Sequence, residues 1–206
     1  MKLLILLTYI FASIGFCQAQ RLNTIYYGVS SDSLYGGHRL KFFNDTTLEI
    51  STFPPHMSHQ FKMTLNYKKK GKTIKIYSDK ISSQDSIALV NHRLKQFFRI
   101  ITFSLDKNAI IDTSSKIVYV RYNDFKKKYY LIYIIDGITY KQETGLTDAY
   151  GIIKNNPKEN KVLNDKLTSI KDNLDNYTIN VYKGLNAYNK FGYDCVFGVI
   201  ELQRKN

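Results

Sequence analysis

Cysteine is scarce: the chain of 206 residues has two, Cys17 and Cys195. Cys17 lies in a stretch read below as a removable leader, which leaves Cys195 without a partner within the chain and excludes a disulfide framework. A lone Cys in a strand-like apolar context reads as a small buried hydrophobe rather than a reactive thiol. Arginine is scarce too. Of the 30 basic residues only six are Arg, and the other 24 are Lys. Readers of bases and phosphates favour the planar, bidentate guanidinium, so this balance argues against a sequence-specific nucleic-acid reader. After the first 16 residues, no apolar run reaches the roughly 18 to 20 residues that a membrane-spanning helix needs.

What is present starts with an export signal. Lys2 supplies a positive n-region, and Leu3 to Phe16 carries no charge and is rich in Leu, Ile and Phe. Cys17-Gln18-Ala19 places small side chains at the two positions that a signal peptidase reads, with Ala19 the last residue removed. A lipid-bearing Cys17 fits poorly, because Phe16 before it is too bulky for that processing. The expectation is an exported protein, periplasmic or secreted, soluble after loss of residues 1–19. The remaining 187 residues suit one ordinary domain or two small ones.

Loss of Lys2 takes the formal charge from +13 to +12. The densest basic clusters are Lys68-Lys69-Lys70 with Lys72, and Lys126-Lys127-Lys128, both at expected hairpin turns. They read as a solvated lysine face, with peripheral contact to an anionic envelope surface as the sharper alternative.

The pattern predicts an α+β chain: a mostly antiparallel β-domain with one helix over residues 20–112, then a small mixed α/β sheet over residues 113–206. Leu40 and Phe42 alternate with polar partners, and Asn44-Asp45 turns the chain. Phe61, Met63, Leu65 and Tyr67 share a face at period two, and Lys70-Gly71 leads into a return strand through Ile74 and Ile76. A helix capped by Ser82 or Ser83 follows, with Ile87, Val90, Leu94, Phe97 and Ile101 at helical spacing. Strands are then predicted at residues 116–122 and 129–136, the apolar run Tyr130 to Ile135 suggesting burial on both faces. A turn-rich loop comes next. Val162, Leu163, Leu167, Ile170 and Leu174 mark a helix, Thr178 to Tyr182 a strand, Gly184 to Lys190 a short helical turn stopped by Gly192, and Val196 to Leu202 a last strand.

From residue 129 to 205 the residues take on a family likeness. Ile134-Ile135-Asp136-Gly137, then Lys183-Gly184, Ala187, Phe191-Gly192, and Gly198-Val199-Ile200 occur in order. That series resembles the plug domain of TonB-dependent receptors, with Phe191 in place of the usual Tyr and Glu201-Leu202-Gln203-Arg204 in place of a Thr-rich ending. The resemblance implies a detached plug-like module that docks onto a cell-envelope protein, without the barrel that would make it a transporter. Gly137 and Gly192 are expected at positive φ, and Gly198 at a close backbone approach. The first half is only faintly similar to small lipocalin-like β-domains.

Candidates for chemistry are few. His56 and His59, with Met57 and Met63 nearby, are the one ligand-like cluster, and imidazole with thioether suits copper. Ser31, Ser33 and Ser58 lack the surroundings of a nucleophile, and Asp136 with Glu143 is the one tempting carboxylate pair. His92 sits on the predicted helix beside Arg93. No cofactor is implied. The leading expectation is a non-catalytic envelope protein that docks through its plug-like part. The alternatives are a small apolar ligand inside the β-domain and a metal-dependent enzyme using His56 and His59. N-terminal sequencing of the exported protein is expected to read Gln20 first; a chain that retains Met1 would remove the leader assignment.

Overall fold

The computed structural model describes residues 24–31, 38–52, 61–77, 81–91, 94, 101–106, 108–127, 130–145 and 156–205. The leader therefore lies outside the described residues, as do His56, His59, His92, Met57, Ser33, Ser58 and Phe97. The observed class is α+β: a closed eight-stranded antiparallel barrel and a second, four-stranded mixed sheet. Among the described residues, no helix is long and apolar enough to cross a membrane.

The barrel is a meander in which each strand pairs with the next and the last with the first. Its strands are β1 (Ile25–Ser30), β2 (His38–Phe42), β3 (Thr47–Thr52), β4 (Lys62–Lys70), β5 (Thr73–Tyr77), β6 (Ile101–Asp106), β7 (Ala109–Asp112) and β8 (Ile117–Arg121). Strict alternation sets the register. Along β4, Met63, Leu65 and Tyr67 point inward between exposed polar neighbours, as the period-two pattern predicts. Tyr67 closes the β2–β3 corner by donating its hydroxyl to the Asn44 carbonyl at 2.6 Å. The Asn44 side chain accepts from the backbone N–H groups of Thr46 and Thr47, the Asx turn expected there.

Three expectations are corrected. The division after residue 112 falls too early, because β8 pairs with both β1 and β7 and closes the barrel. The predicted helix is also shorter. Helix α1 spans Ser83–Asn91, and Ile101 already belongs to β6. Its buried residue is Leu89, with Leu94 beyond its end, whereas Ile87 is 63% and Val90 44% exposed. Ser82 caps it, accepting from the Asp85 N–H at 3.0 Å and donating to its carboxylate at 2.7 Å. Lys126 and Lys127 do not turn a hairpin but end helix α2 (Tyr122–Lys127).

The second sheet has the order β10-β9-β12-β11, from β9 (Tyr130–Ile135), β10 (Ile138–Glu143), β11 (Tyr177–Tyr182) and β12 (Val199–Arg204). β12 runs parallel to β9, and the outer pairs are antiparallel. Helix α3 (Lys161–Ile170) covers one face, where Leu163 and Ile170 pack with Ile135, Tyr177 and Leu202. Helix α4 (Gly184–Phe191) covers the other, where Ala187 packs with Ile132 and Val199. β9 is thus covered on both faces, as its apolar run indicates. Strand β10 was not expected: Asp136 and Gly137, at φ of 50° and 82°, make the two-residue turn of a hairpin in which Ile135 pairs with Ile138. The last strand starts at Val199, not Val196, and Cys195 lies in a 3-10 turn rather than a buried strand.

The two sheets meet on the outer face of β1 and β8. Val29, Val118 and Val120 pack there against Leu185, Val196 and Phe197, with Tyr27 and Phe125 at the margin. Gly184 makes this contact possible. Its φ is +56°, and a Cβ there would stand 2.5 Å from the Ser31 nitrogen and 2.6 Å from the Ser30 carbonyl carbon. Gly71 also has positive φ, +57°, but with open space around it. Gly71→Ala is expected to cost about 1 kcal/mol, the left-handed backbone alone. Gly184→Ala adds a clash with rigid backbone and is expected to cost about 3 kcal/mol or more. Urea unfolding of the two variants measures the difference; equal losses would mean that the seam yields freely.

Candidate functional site

The residues singled out from the sequence fall into separate places. Asp136 lies at the end of the second sheet, and its carboxylate is already engaged. One oxygen accepts from the Arg204 backbone N–H at 3.2 Å, and the other accepts from the Tyr177 hydroxyl at 3.3 Å and faces the Lys166 ammonium at 3.7 Å. Arg204 lies over the Tyr177 ring and donates to its hydroxyl. This set ties β9, β11, β12 and α3 together and leaves Asp136 organising the sheet end. An open hollow of about 430 Å³ lies beside it, between Ile134, Gly137 and Glu201 to Arg204.

Glu143 is not Asp136's partner. It pairs with Tyr130 at the opposite end of the hairpin, roughly 20 Å from the turn, and accepts from the Lys158 N–H at 2.9 Å. The tempting carboxylate pair is thereby dissolved. Lys183 is the extended residue before α4, Gly184 and Ala187 are buried, and Gly192 ends the helix at φ 91°. A Cβ on Gly198 would stand 3.0 Å from a Leu131 side-chain methyl, so the crowding comes from a side chain rather than from the backbone approach expected of it, and Gly198 precedes β12. Val199 and Ile200 point to opposite faces of β12, towards α4 and α3. Ser31 donates to the Lys116 carbonyl at 3.3 Å, a local bond that uses its hydroxyl. Burial, reinforced by Asp194, raises the Cys195 thiol pKa, which disfavours the nucleophilic thiolate.

The barrel interior is packed with its own side chains, including Leu40, Leu48, Ile50, Ile76, Phe103 and Tyr119. Met63, the thioether grouped with His56 and His59, is one of them. The Tyr26, Phe42 and Tyr67 rings meet edge to face, with centroids 5.9 and 5.2 Å apart. The cavity they line with Ile74, Leu105 and Ile110 holds about 20 Å³, room for a single water, where a small-molecule pocket needs about 300 Å³ or more.

One end of this interior is polar, a feature that no local motif announced. Ser30, His38, Thr52 and Asp112 are all buried, and each shares the inward parity of its strand. His38 stands opposite Thr52, while Ser30 and Asp112 flank Ile117. One Asp112 oxygen accepts from the Ser115 N–H at 3.1 Å. The other has no partner, and neither has the Tyr119 hydroxyl. Burial pushes the Tyr119 phenol pKa well above its ordinary value, and the Asp112 charge adds to the rise. The signal was available in the period-two pattern, which puts polar residues at inward positions on four strands.

A third polar group lies where α4 meets the barrel. The Tyr188 hydroxyl donates to Asp106, and the Tyr193 hydroxyl donates to Asp124 at 3.0 Å and accepts from the Arg121 N–H at 3.4 Å. Beside them, Asp106, Asn108, Tyr188, Gly192 and Tyr193 line a hollow of about 260 Å³. Burial, followed by the Asp106 hydrogen bond, pushes the Tyr188 pKa up to about 12.

The remaining feature is an edge. Closure leaves no edge in the barrel, so among the described residues the free edges belong to β10 and β11. β10 is partly covered: Asn160 donates to the Lys141 carbonyl at 3.0 Å, and Gln142 exchanges bonds with Lys158 and Asn160. Among the described residues β11 has no such cover, and its Ile179 and Val181 are 51% and 72% exposed. Comparisons with family models, with curated proteins and with solved structures found no match to this chain.

Two predictions test the polar groups. Tyr119→Phe removes an unpaired buried hydroxyl and is expected to leave stability unchanged or raise it by about 1 kcal/mol. A large loss on thermal unfolding would mean that the hydroxyl has a bound partner. Tyr188 holds its proton more tightly folded, at about 12, than the ordinary phenol near 10. Its contribution is therefore full below about pH 10 and is lost as pH rises towards 12. Tyr188→Phe should flatten the fall of melting temperature across that window; an unchanged slope would refute the linkage.

Proposed function

We propose that this chain is an exported, non-catalytic cell-envelope protein whose barrel supports a plug-like sheet used for docking onto protein. The observation that carries the reading is the β11 edge. Among the described residues, the outward backbone groups of Ile179 and Val181 are open there, while the Tyr177 N–H is held by the Leu174 carbonyl, and both side chains are exposed although they stand on the sheet face that α3 covers elsewhere. An extended segment pairing with such an edge gains main-chain hydrogen bonds, and the aliphatic side chains supply the apolar contact.

The barrel supports the reading by what fills it. A packed interior makes a rigid base, and the seam at Gly184 holds the sheet to that base through rigid backbone rather than a linker. The resemblance to receptor plugs supports it further, through the Asp136-Gly137 turn and the ordered series to Ile200, and it points to the cell envelope as the place of docking. The lysine clusters fit a peripheral position beside an anionic surface, with no nucleic acid involved.

A photo-crosslinking residue placed at Val181 and, in parallel, at exposed Ile87 tests this in cells. The Val181 derivative is expected to yield one consistent protein adduct and the Ile87 derivative none. Adducts that are absent from both, or equal in both, would overturn the docking role of β11.

A further inference from the structure

We infer that the outer face of the β4–β5 hairpin binds the surface of an anionic lipid bilayer. The contact builds on the peripheral position read above and does not depend on the β11 edge.

From Lys62 to Tyr77 the chain has six lysines and no Asp or Glu, and the barrel register gathers them. Met63, Leu65 and Tyr67 face inward, so Lys68 and Lys70 face out. Lys75 faces out between Ile74 and Ile76. Lys68 stands directly opposite Lys75, and like charges so placed destabilise a sheet. β3 reaches only as far as Asn66, so Lys68 to Lys70 run about 10 Å past it. Among the described residues none of the six lysines has an ion pair. Lys68 lies 5.6 Å from the centroid of the Tyr77 ring, which leaves its charge uncompensated. Acids on the neighbouring strands are turned elsewhere: Glu49 stands opposite Lys41, and Asp106 accepts from Tyr188.

The fold does not need these charges. Exposed lysines commonly guard the open edge of a sheet, but a closed barrel has no edge to guard. Thr64, Asn66 and Thr102 occupy other outward positions nearby, so neutral polar residues serve the strands equally well.

Composition selects the partner. Among the described residues no exposed large hydrophobic lies on β4 or β5, so this face lacks the apolar centre of a protein interface. It also has no Arg, the residue that reads bases and phosphates bidentately. Ammonium groups on flexible stems need no fixed geometry in a partner, only a density of negative charge, and a layer of anionic headgroups supplies that. Position agrees with this. Around the closed ring β4 and β5 lie half-way from β8 and β1, whose outer face holds the second sheet. A bilayer under the hairpin therefore leaves the second sheet on the far side of the barrel.

Co-sedimentation of the purified, exported full-length chain with vesicles tests this. Binding is expected on phosphatidylcholine and phosphatidylglycerol in equal parts at about 0.1 M salt, and is expected to vanish at about 0.5 M salt or on phosphatidylcholine alone. Lys68→Gln, Lys70→Gln and Lys75→Gln together should weaken it about a hundredfold, at about fivefold for each lysine near the surface. Lys158→Gln, Lys161→Gln and Lys171→Gln together remove the same charge from exposed positions around α3 and should change it about threefold or less. Circular dichroism checks that both sets fold. No binding to the anionic vesicles overturns the inference, as does an equal loss in the two sets. Binding to a DNA duplex but not to vesicles, with the same dependence on the hairpin lysines, also overturns it. If vesicles are not bound but the Val181 crosslinker captures a protein, the membrane contact fails and the docking reading stands. If vesicles are bound through the hairpin and Val181 captures nothing, the docking reading fails and the membrane contact stands.

Discussion

Strands that close a barrel have a second face, and on β1 and β8 that face is apolar as well. Val29, Val118 and Val120 cannot be covered from inside, because the interior is already filled by residues of opposite parity. Their cover comes from Leu185 in the first turn of α4 and from Val196 and Phe197, which follow that helix in sequence. Apolar side chains gain from this only at van der Waals distance, and the backbone at the start of α4 must then run against Ser30 and Ser31. Glycine is the residue that fits, by both its φ and its missing Cβ. The place of the second sheet follows from that contact: α4 is pinned at its first residue, and its buried face is turned towards Ile132 and Val199.

Most of the strands were legible, and for one physical reason. A half-buried strand alternates, so β2, β4 and β5 can be read off Leu40 and Phe42, Met63 to Tyr67, and Ile74 and Ile76 without knowing their partners. The misreadings occur where the outcome depends on partners. Ile87 and Val90 keep helical spacing but face solvent, because periodicity tells which residues share a face and not which face finds cover. β8 reads from sequence as part of the second sheet because its four buried residues, split between interior and seam, alternate with nothing polar. β10 was hidden by a mostly exposed composition, although Asp136-Gly137 between two apolar residues carries the hairpin signal.

The candidate site divides in the same way. The Asp136 turn, Gly184 and Gly192 could be picked out singly, since unusual backbone leaves a residue-type signature. What joins Asp136 to Tyr177, Lys166 and Arg204 is tertiary and leaves no spacing to find. His38, Asp112 and Tyr119 lie in one barrel interior only because the β1–β2 and β7–β8 pairings and the closure of β8 on β1 bring them there.

The exposure of β11 is least legible of all, because a strand becomes an edge through sheet order and not through its own residues. Once the order is known, its composition carries meaning. Edge strands are commonly protected by lysine, proline or a bulge. This chain has 24 lysines and places none between Tyr177 and Tyr182, while the opposite edge, β10, carries Lys141 and is bridged by residues 158–160. Stability of the isolated chain does not require that asymmetry. A charge on Ile179 or Val181 would cost little at such exposed positions, and a lysine-rich chain has the means to place one. Among the described residues, β11 is thus an apolar and neutral edge on a sheet whose other edge is partly covered, beside a barrel that has no edge.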